Sequence, residues 1–259
     1  MAPAPPLTQP DVSQIRAVAF DCYGTLLDFE ERSFGPALQE FLTQRGVAHV
    51  DGESVWKHWM DASREHSRAH GRDPEGSLDG PEPAFYRMAQ TWPRFFEHAF
   101  SKAAIESIAP VEAFQHLFDL LAEADAYPEV QDVLTGLRER DVTVVVASNA
   151  DDVHLRPALE RRGITSDYVI SSEEVRSYKP RRPFFDAITE RLELAPSQII
   201  YVGDSPYADV TGATHAGMLT YWVRRYDDER RDQLLKTEPS WTFPDLRGLL
   251  AILAGENHA

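Results

Sequence analysis

Read in chain order, four polar clusters carry groups that could work as one site: Asp21 with Thr25, Ser148-Asn149, Lys179-Pro180, and Gly203-Asp204 with Asp209. Together they offer a carboxylate able to act as a nucleophile, a hydroxyl and an amide to hold an anion, and a lysine to balance negative charge. Asp204 and Asp209 supply two further acids. A hard cation such as Mg2+ takes a few carboxylates and keeps several waters, and Asp21 with Asp204 would suit it. Any one of these residues alone reads as an ordinary capping or surface group. The joint pattern carries the argument.

The clusters need elements that bring them together. Each sits just past a predicted strand: "AVAF" before Asp21, "VTVVVAS" ending on Ser148, "DYVIS" ahead of Lys179, and "IIYVG" before Asp204. Helical stretches intervene: "EVQDVLTGLRERD", "DVHLRPALERRG", "RPFFDAITERL" and "YADVTGATHAG". A strand at "LTYWV" and a last helix near "FPDLRGLLAIL" follow. Strands alternating with helices predict an α/β fold, a doubly wound, Rossmann-like parallel sheet covered on both faces. In such sheets ligands bind outside the carboxyl ends of the strands, where all four clusters would lie.

From about residue 31 to 124 the pattern is helical, in "PALQEFLTQRG", "ESVWKHWMDASREHSRAHG", "AFYRMAQTWPRFFEHAF" and "PVEAFQHLFDLLAEA". Pro93 is expected to kink or break the third, and the polar "GRDPEGSLDGPEP" to form a loop before it. The expected plan is a flexible proline-rich tail (1–14), a core (15–30 and 125–259) and an inserted all-helical cap (31–124). The cap would open and close about joints near 29–32 and 124–128.

The segments "FDCYGTLLD", "VVVASNA", "ISSEEVRSYKP" and "YVGDSPYADVTGATHAG" resemble, in that order, the motifs of the haloacid dehalogenase superfamily of hydrolases. The resemblance covers roughly residues 15–30 and 125–225, and the helical insertion is similar to that superfamily's first class of cap. It implies that Asp21 is the nucleophile, forming an aspartyl intermediate that water hydrolyses. It implies that Ser148 and the backbone near Asn149 hold the transferring group, that Lys179 screens repulsion, and that Thr25, in the loop after Asp21, belongs to the catalytic set. Asp204 and the Tyr23 carbonyl would complete an Mg2+ site with Asp21, and Asp209 would orient its waters.

Tyr23 divides the reading. Phosphatases of the superfamily place an acid there to protonate the leaving oxygen, whereas its dehalogenases have Tyr, because a departing halide needs no proton. Yet those dehalogenases have serine where this chain has Asp204, asparagine for Pro206 and tyrosine for Phe185. Their substrate-binding cap arginine falls near Trp56 and would correspond to Lys57. Three acids at one site repel unless a cation intervenes, so Asp204 weighs more. The favoured reading is an Mg2+-dependent phosphatase for a small phosphorylated metabolite with a good leaving group. A metal-free 2-haloacid dehalogenase is the alternative, and a non-catalytic binding protein a further one.

A formal charge of −16 over 259 residues argues against nucleic-acid or anionic-lipid partners. No run approaches the ~20 apolar residues of a membrane span, and "MAPAPPLTQPD" lacks the features of a secretory signal, so a cytoplasmic location is expected. The single cysteine, Cys22, allows no intrachain disulfide and reads as a packing residue beside the nucleophile. His66 and His70 are spaced like metal ligands but lack a third, and read as a solvated helix face. Trp56, Trp59 and Trp92 could close over a substrate or pack the cap. "RRYDDERRD" (224–232) reads as a solvated segment whose arginines could instead serve a homodimer contact.

Overall fold

The computed structural model describes residues 10–70, 78, 80 and 82–255. Six strands form one parallel sheet in the order β3-β2-β1-β4-β5-β6: β1 Ala17–Phe20, β2 Thr143–Ser148, β3 Tyr168–Ser171, β4 Ile199–Gly203, β5 Leu219–Val223 and β6 Trp241–Phe243. Between β1 and β2 run four helices, α1 Phe34–Gln44, α2 Gly52–Ala69, α3 Met88–Lys102 and α4 Pro110–Glu123. The others are α5 Val130–Arg138, α6 Asp152–Arg161, α7 Ser172–Val175, α8 Arg182–Leu192, α9 Gly212–His215, α10 Glu229–Asp232 and α11 Gly248–Leu253. This is the Rossmann-like α/β fold that the alternating pattern implies.

Strand parity decides which residue meets which layer, because successive side chains leave a strand on opposite faces. Val18, Phe20, Val144, Val146, Ile200 and Val202 pack with Val133 and Leu137 of α5, Leu155 of α6 and Leu249 of α11. Their neighbours Ala17, Ala19, Val145, Ala147, Ile199 and Tyr201 face Phe184, Phe185 and Ile188 of α8. The small alanines of β1 leave room for the two phenyl rings. Burial on both faces explains why β2 reads as an unbroken apolar run.

Helices α1–α4 have their own core, rich in aromatic rings, including Phe34, Trp56, Trp59, Phe96 and Phe118. The chain leaves and re-enters the sheet layer along paired linkers. Asp28 N donates to Asp125 O (2.7 Å), Tyr127 N donates to Leu26 O (3.0 Å), and Leu27 bridges Ala126.

Several expectations need correcting. Helix α3 runs unbroken through Pro93, held by the burial of Phe95, Phe96 and Phe100, which outweighs the one backbone bond the proline removes. It begins at Met88: Arg87 before it is extended (φ −79°, ψ 141°), and Tyr86 O accepts from Tyr178 Oη (2.8 Å). The helix expected at 207–217 forms, but its first part, Pro206–Thr211, is π-helical before α9 completes it. Strand β6 was not foreseen. The polar loop expected after α2 lies largely outside the described residues, as does most of the proline-rich tail. Among the described residues no helix is long and apolar enough to cross a membrane.

Candidate active site

Strand β1 ends by delivering Asp21, whose amide donates to Val202 O (2.9 Å) and so extends the ladder to β4 by one residue. The chain then closes a tight turn: Cys22 O accepts from Leu26 N (2.8 Å) and Leu27 N (2.9 Å), and Gly24 N donates to Leu27 O (2.9 Å). Gly24 has φ +83°, and a Cβ there would stand 2.6 Å from Asp204 Oδ2. At Gly203 a Cβ would meet the Asp209 carboxyl carbon at 2.3 Å. Only glycine at both positions lets the acids draw in over the strand ends.

Around Asp21 the other clusters converge. Ser148, the last residue of β2, donates from Oγ to Asp21 Oδ1 (2.9 Å). Lys179 Nζ donates to Asp21 Oδ1 (2.6 Å) and to Asp209 Oδ1 (2.7 Å). Asn149 holds the Lys179 backbone from both sides, accepting from its N–H (2.8 Å) and donating to its C=O (3.2 Å). The turn beginning at Pro206 aims Asp209 inward, and Ser205 N donates to its Oδ2 (2.9 Å). Asp204 follows β4 directly, its carbonyl accepting from Trp222 Nε1 (3.0 Å).

Asp21, Asp204 and Asp209 each offer an oxygen within 4.8 Å of the others, and no second such trio of His, Cys, Asp or Glu placed to hold a metal occurs among the described residues. One ammonium, that of Lys179, is shared by two of these carboxylates, Asp21 and Asp209. Burial, opposed by Lys179 and reinforced by Asp21 and Asp204, pushes Asp209 up to about 7. For Lys179, burial pulls downward, but Asp209 and Asp21 outweigh it and hold the ammonium well above the usual lysine range. The donor chemistry, hard oxygens with excess negative charge, fits a divalent cation.

Burial foremost, then Cys22 and Asp21, raises the Tyr23 phenol above its ordinary range, so it stays protonated. Its ring meets Phe29 edge-on (6.3 Å between centroids) and packs against both the sheet core and the helical core. Cys22 is fully buried, and burial with the Asp21 charge keeps it a thiol. Thr25 is fully buried, its hydroxyl without a hydrogen-bond partner among the described residues.

The other residues singled out in the sequence lie elsewhere. Trp56 and Trp59 are buried and stacked on each other (4.5 Å) inside the helical core, and Lys57 is exposed on α2. Trp56 and Trp59 help build the core of the insertion, and Lys57 lies on its surface. Phe185 is buried against Tyr201. His66 is no solvated face residue: it packs against Tyr86 (4.6 Å) and Phe95 (5.3 Å).

Two residues escaped the sequence reading. Asp151, three residues beyond Ser148 and buried, accepts from Met88 N (3.2 Å) and Ala89 N (2.9 Å), so a carboxylate of the sheet layer caps helix α3 of the insertion. Nothing in "SNADD" distinguishes it from an ordinary helix cap for α6. The other is Arg225, from the segment expected to be solvated, whose side chain is only 9% exposed.

A family model described as haloacid dehalogenase-like hydrolase matches residues 15–217. The chain is 27% identical over 216 residues to (S)-2-haloacid dehalogenase 1 of Pseudomonas sp. (strain CBS-3), covering 82% of this chain and 85% of that protein. It is 32% identical over 208 residues to ribulose-1,5-bisphosphate 5-phosphatase of Halopiger xanaduensis (strain DSM 18323 / JCM 14033 / SH-6), covering 79% and 82%. Among solved structures, the L-2-haloacid dehalogenase RSc1362 shares the fold with a TM-score of 0.70 at 23% identity, covering 93% of this chain and 99% of that one.

Proposed function

The chain belongs to the haloacid dehalogenase-like hydrolases, and on that footing we propose that it is an Mg2+-dependent phosphatase for a small phosphorylated metabolite with a good leaving group. The observation that carries this reading is the Asp204 carboxylate drawn up to Asp21 and Asp209, the two acids that share Lys179. A metal-free site gains nothing from the third acid, which adds repulsion. Mg2+ held by Asp21 and Asp204, with the Tyr23 carbonyl and with Asp209 orienting its waters, would neutralise charge on the phosphoryl oxygens.

The chain's own groups would act as follows. Ser148 and Lys179 both bind Oδ1 of Asp21, which fixes the carboxylate and leaves Oδ2 to attack phosphorus. The new Oδ2–P bond forms as the ester P–O bond breaks, its electron pair leaving with the departing oxygen. Water then attacks phosphorus, releasing phosphate and restoring Asp21. Lys179 screens the incoming anion, and Asn149 sets its position. The helical insertion would close over the site to exclude bulk water.

Tyr23 defines the substrate class. Its phenol, held protonated by burial, is a poor proton donor beside a carboxylic acid. General acid catalysis is typically worth about 10²–10⁴-fold, so alkyl phosphates should be slow and aryl or acyl phosphates faster. A series of aryl phosphates of graded phenol acidity tests this: turnover should fall steeply as the phenol becomes less acidic. A flat series would contradict it. Tyr23 also favours a second reading, a 2-haloacid dehalogenase, in which Oδ2 attacks carbon and halide leaves without a proton; that activity would survive EDTA.

A further inference from the structure

Arg225 lies two residues past β5, in a run whose composition suggests a solvated segment. Instead its guanidinium stacks on the Tyr127 ring (3.3 Å from carbon to centroid) and pairs with Glu129 (2.9 Å), a residue only 3% exposed. The same group donates through Nη2 to Thr25 O (2.8 Å) and through Nε to Gly24 O (3.3 Å). One side chain therefore touches the turn that carries Asp21 and Tyr23 and also the linker by which the chain returns from the helical insertion. The next residue, Tyr226, lies under Arg32 (4.7 Å), beside the outgoing linker.

The turn needs such a partner. The Gly24, Thr25, Leu26 and Leu27 amides are satisfied internally, through Cys22 O and Leu27 O, while the Gly24 and Thr25 carbonyls accept from Arg225. Buried carbonyls demand donors, and Gly24 is held at φ +83°, a conformation with little intrinsic preference to stay. A guanidinium has five donors in a fixed planar fork, so it can serve two carbonyls, a carboxylate and a ring face at once. An ammonium cannot. Glu129 supplies the countercharge that lets the arginine be buried.

We propose that Arg225 is a positioning residue: clamped by Glu129 and Tyr127, it fixes the Gly24 and Thr25 carbonyls and thereby the aim of Asp21 and the Tyr23 backbone. Its catalytic consequence rests on the reading of Asp21 as the nucleophile. The test compares full-length wild type with Arg225→Lys, which keeps the charge for Glu129 but loses the fork, and with Arg225→Met. Amide hydrogen exchange over residues 22–27 should accelerate by on the order of tenfold or more in both variants, while the β2 and β4 segments keep their protection. With an aryl phosphate, kcat should fall on the order of 10- to 100-fold with KM within about twofold, as expected for a slight misplacement of the attacking group. Unchanged exchange at 22–27 would overturn the proposal, as would acceleration spread evenly over the whole sheet in Arg225→Lys. The exchange experiment needs no substrate, so a wild type that released no phosphate would sink the phosphatase reading and leave this one to be judged by exchange.

Discussion

Replacing Asp204 by Asn should make the metal-free protein more stable and the enzyme inactive. Asp204 faces Asp21 and Asp209 with oxygens within 4.8 Å of each other. At an effective dielectric of about 20, unit charges at that separation repel by roughly 3.5 kcal/mol. Asp204 is partly exposed, and solvent screening with delocalised charge cuts the usable relief to about 1–2 kcal/mol. The pH dependence follows from Asp209, raised to about 7 from an ordinary 3.8. The folded state then keeps a proton that the unfolded chain has released, so this contribution is complete below about pH 4 and is lost as pH climbs through about 7. Removing the Asp204 charge lowers the Asp209 pKa and softens that loss, so the gain should be larger at pH 8 than at pH 5.5. In a chain of this size it corresponds to roughly 2–6 °C in Tm. The assay is thermal unfolding in EDTA at both pH values, followed by an Mg2+ titration. Wild type should gain stability as Mg2+ is added, and Asp204→Asn little or none. A variant less stable than wild type in EDTA at pH 8, or one stabilised equally by Mg2+, would refute the reasoning.

Lys179→Met strips the buried Asp21 and Asp209 of their common partner, so at pH 8 we expect a loss of about 3–5 kcal/mol in stability with turnover abolished; unfolding at pH 8 and pH 6 should show the larger penalty at pH 8. Gly24→Ala must bear both a positive φ and a Cβ 2.6 Å from Asp204, whereas Gly46→Ala, at φ +78° with open space, bears only the first. Denaturant unfolding should therefore place Gly46→Ala about 1 kcal/mol below wild type and Gly24→Ala clearly lower, with activity lost only in the latter. Tyr23→Asp restores an acid next to the leaving group and should raise alkyl-phosphate turnover by up to about 10²-fold. No change, or a loss, would count against the role given to the phenol.

Periodicity located the sheet because its strands are buried on both faces. "TVVVAS" and "IIYVG" have no reading but central strands, and the functional clusters stand where they end. Strand β6 was invisible because three residues on an edge, none of them fully buried, carry too little pattern. The continuity of α3 through Pro93 was equally hidden: it depends on Phe95 and Phe96 finding partners in other helices, which a local rule cannot see. At the site, Asp21, Ser148 and Asp204 were legible because each ends a strand or follows it directly, whereas Lys179 stands between α7 and α8 and Asp209 within the segment Pro206–Thr211. Their charge imbalance was foreseeable from composition, but the sharing of Lys179 between two acids was not. For Trp56 and Trp59, helix spacing places an aromatic ring on a face without saying what the face meets. Arg225 and Asp151 were missed for a related reason: each acts on backbone distant in sequence, the one on Gly24 and Thr25, the other on Met88 and Ala89. Backbone acceptors and donors leave no mark on residue type.

The most direct measurement runs two assays on one preparation of wild-type protein, each with Mg2+ and with EDTA: phosphate release from acetyl phosphate and an aryl phosphate, and halide release from a 2-haloacid. The account predicts phosphate release that requires Mg2+ and no halide under either condition. Halide release that persists in EDTA, without phosphate release, would contradict it and make Tyr23, not Asp204, the residue that defines the chemistry.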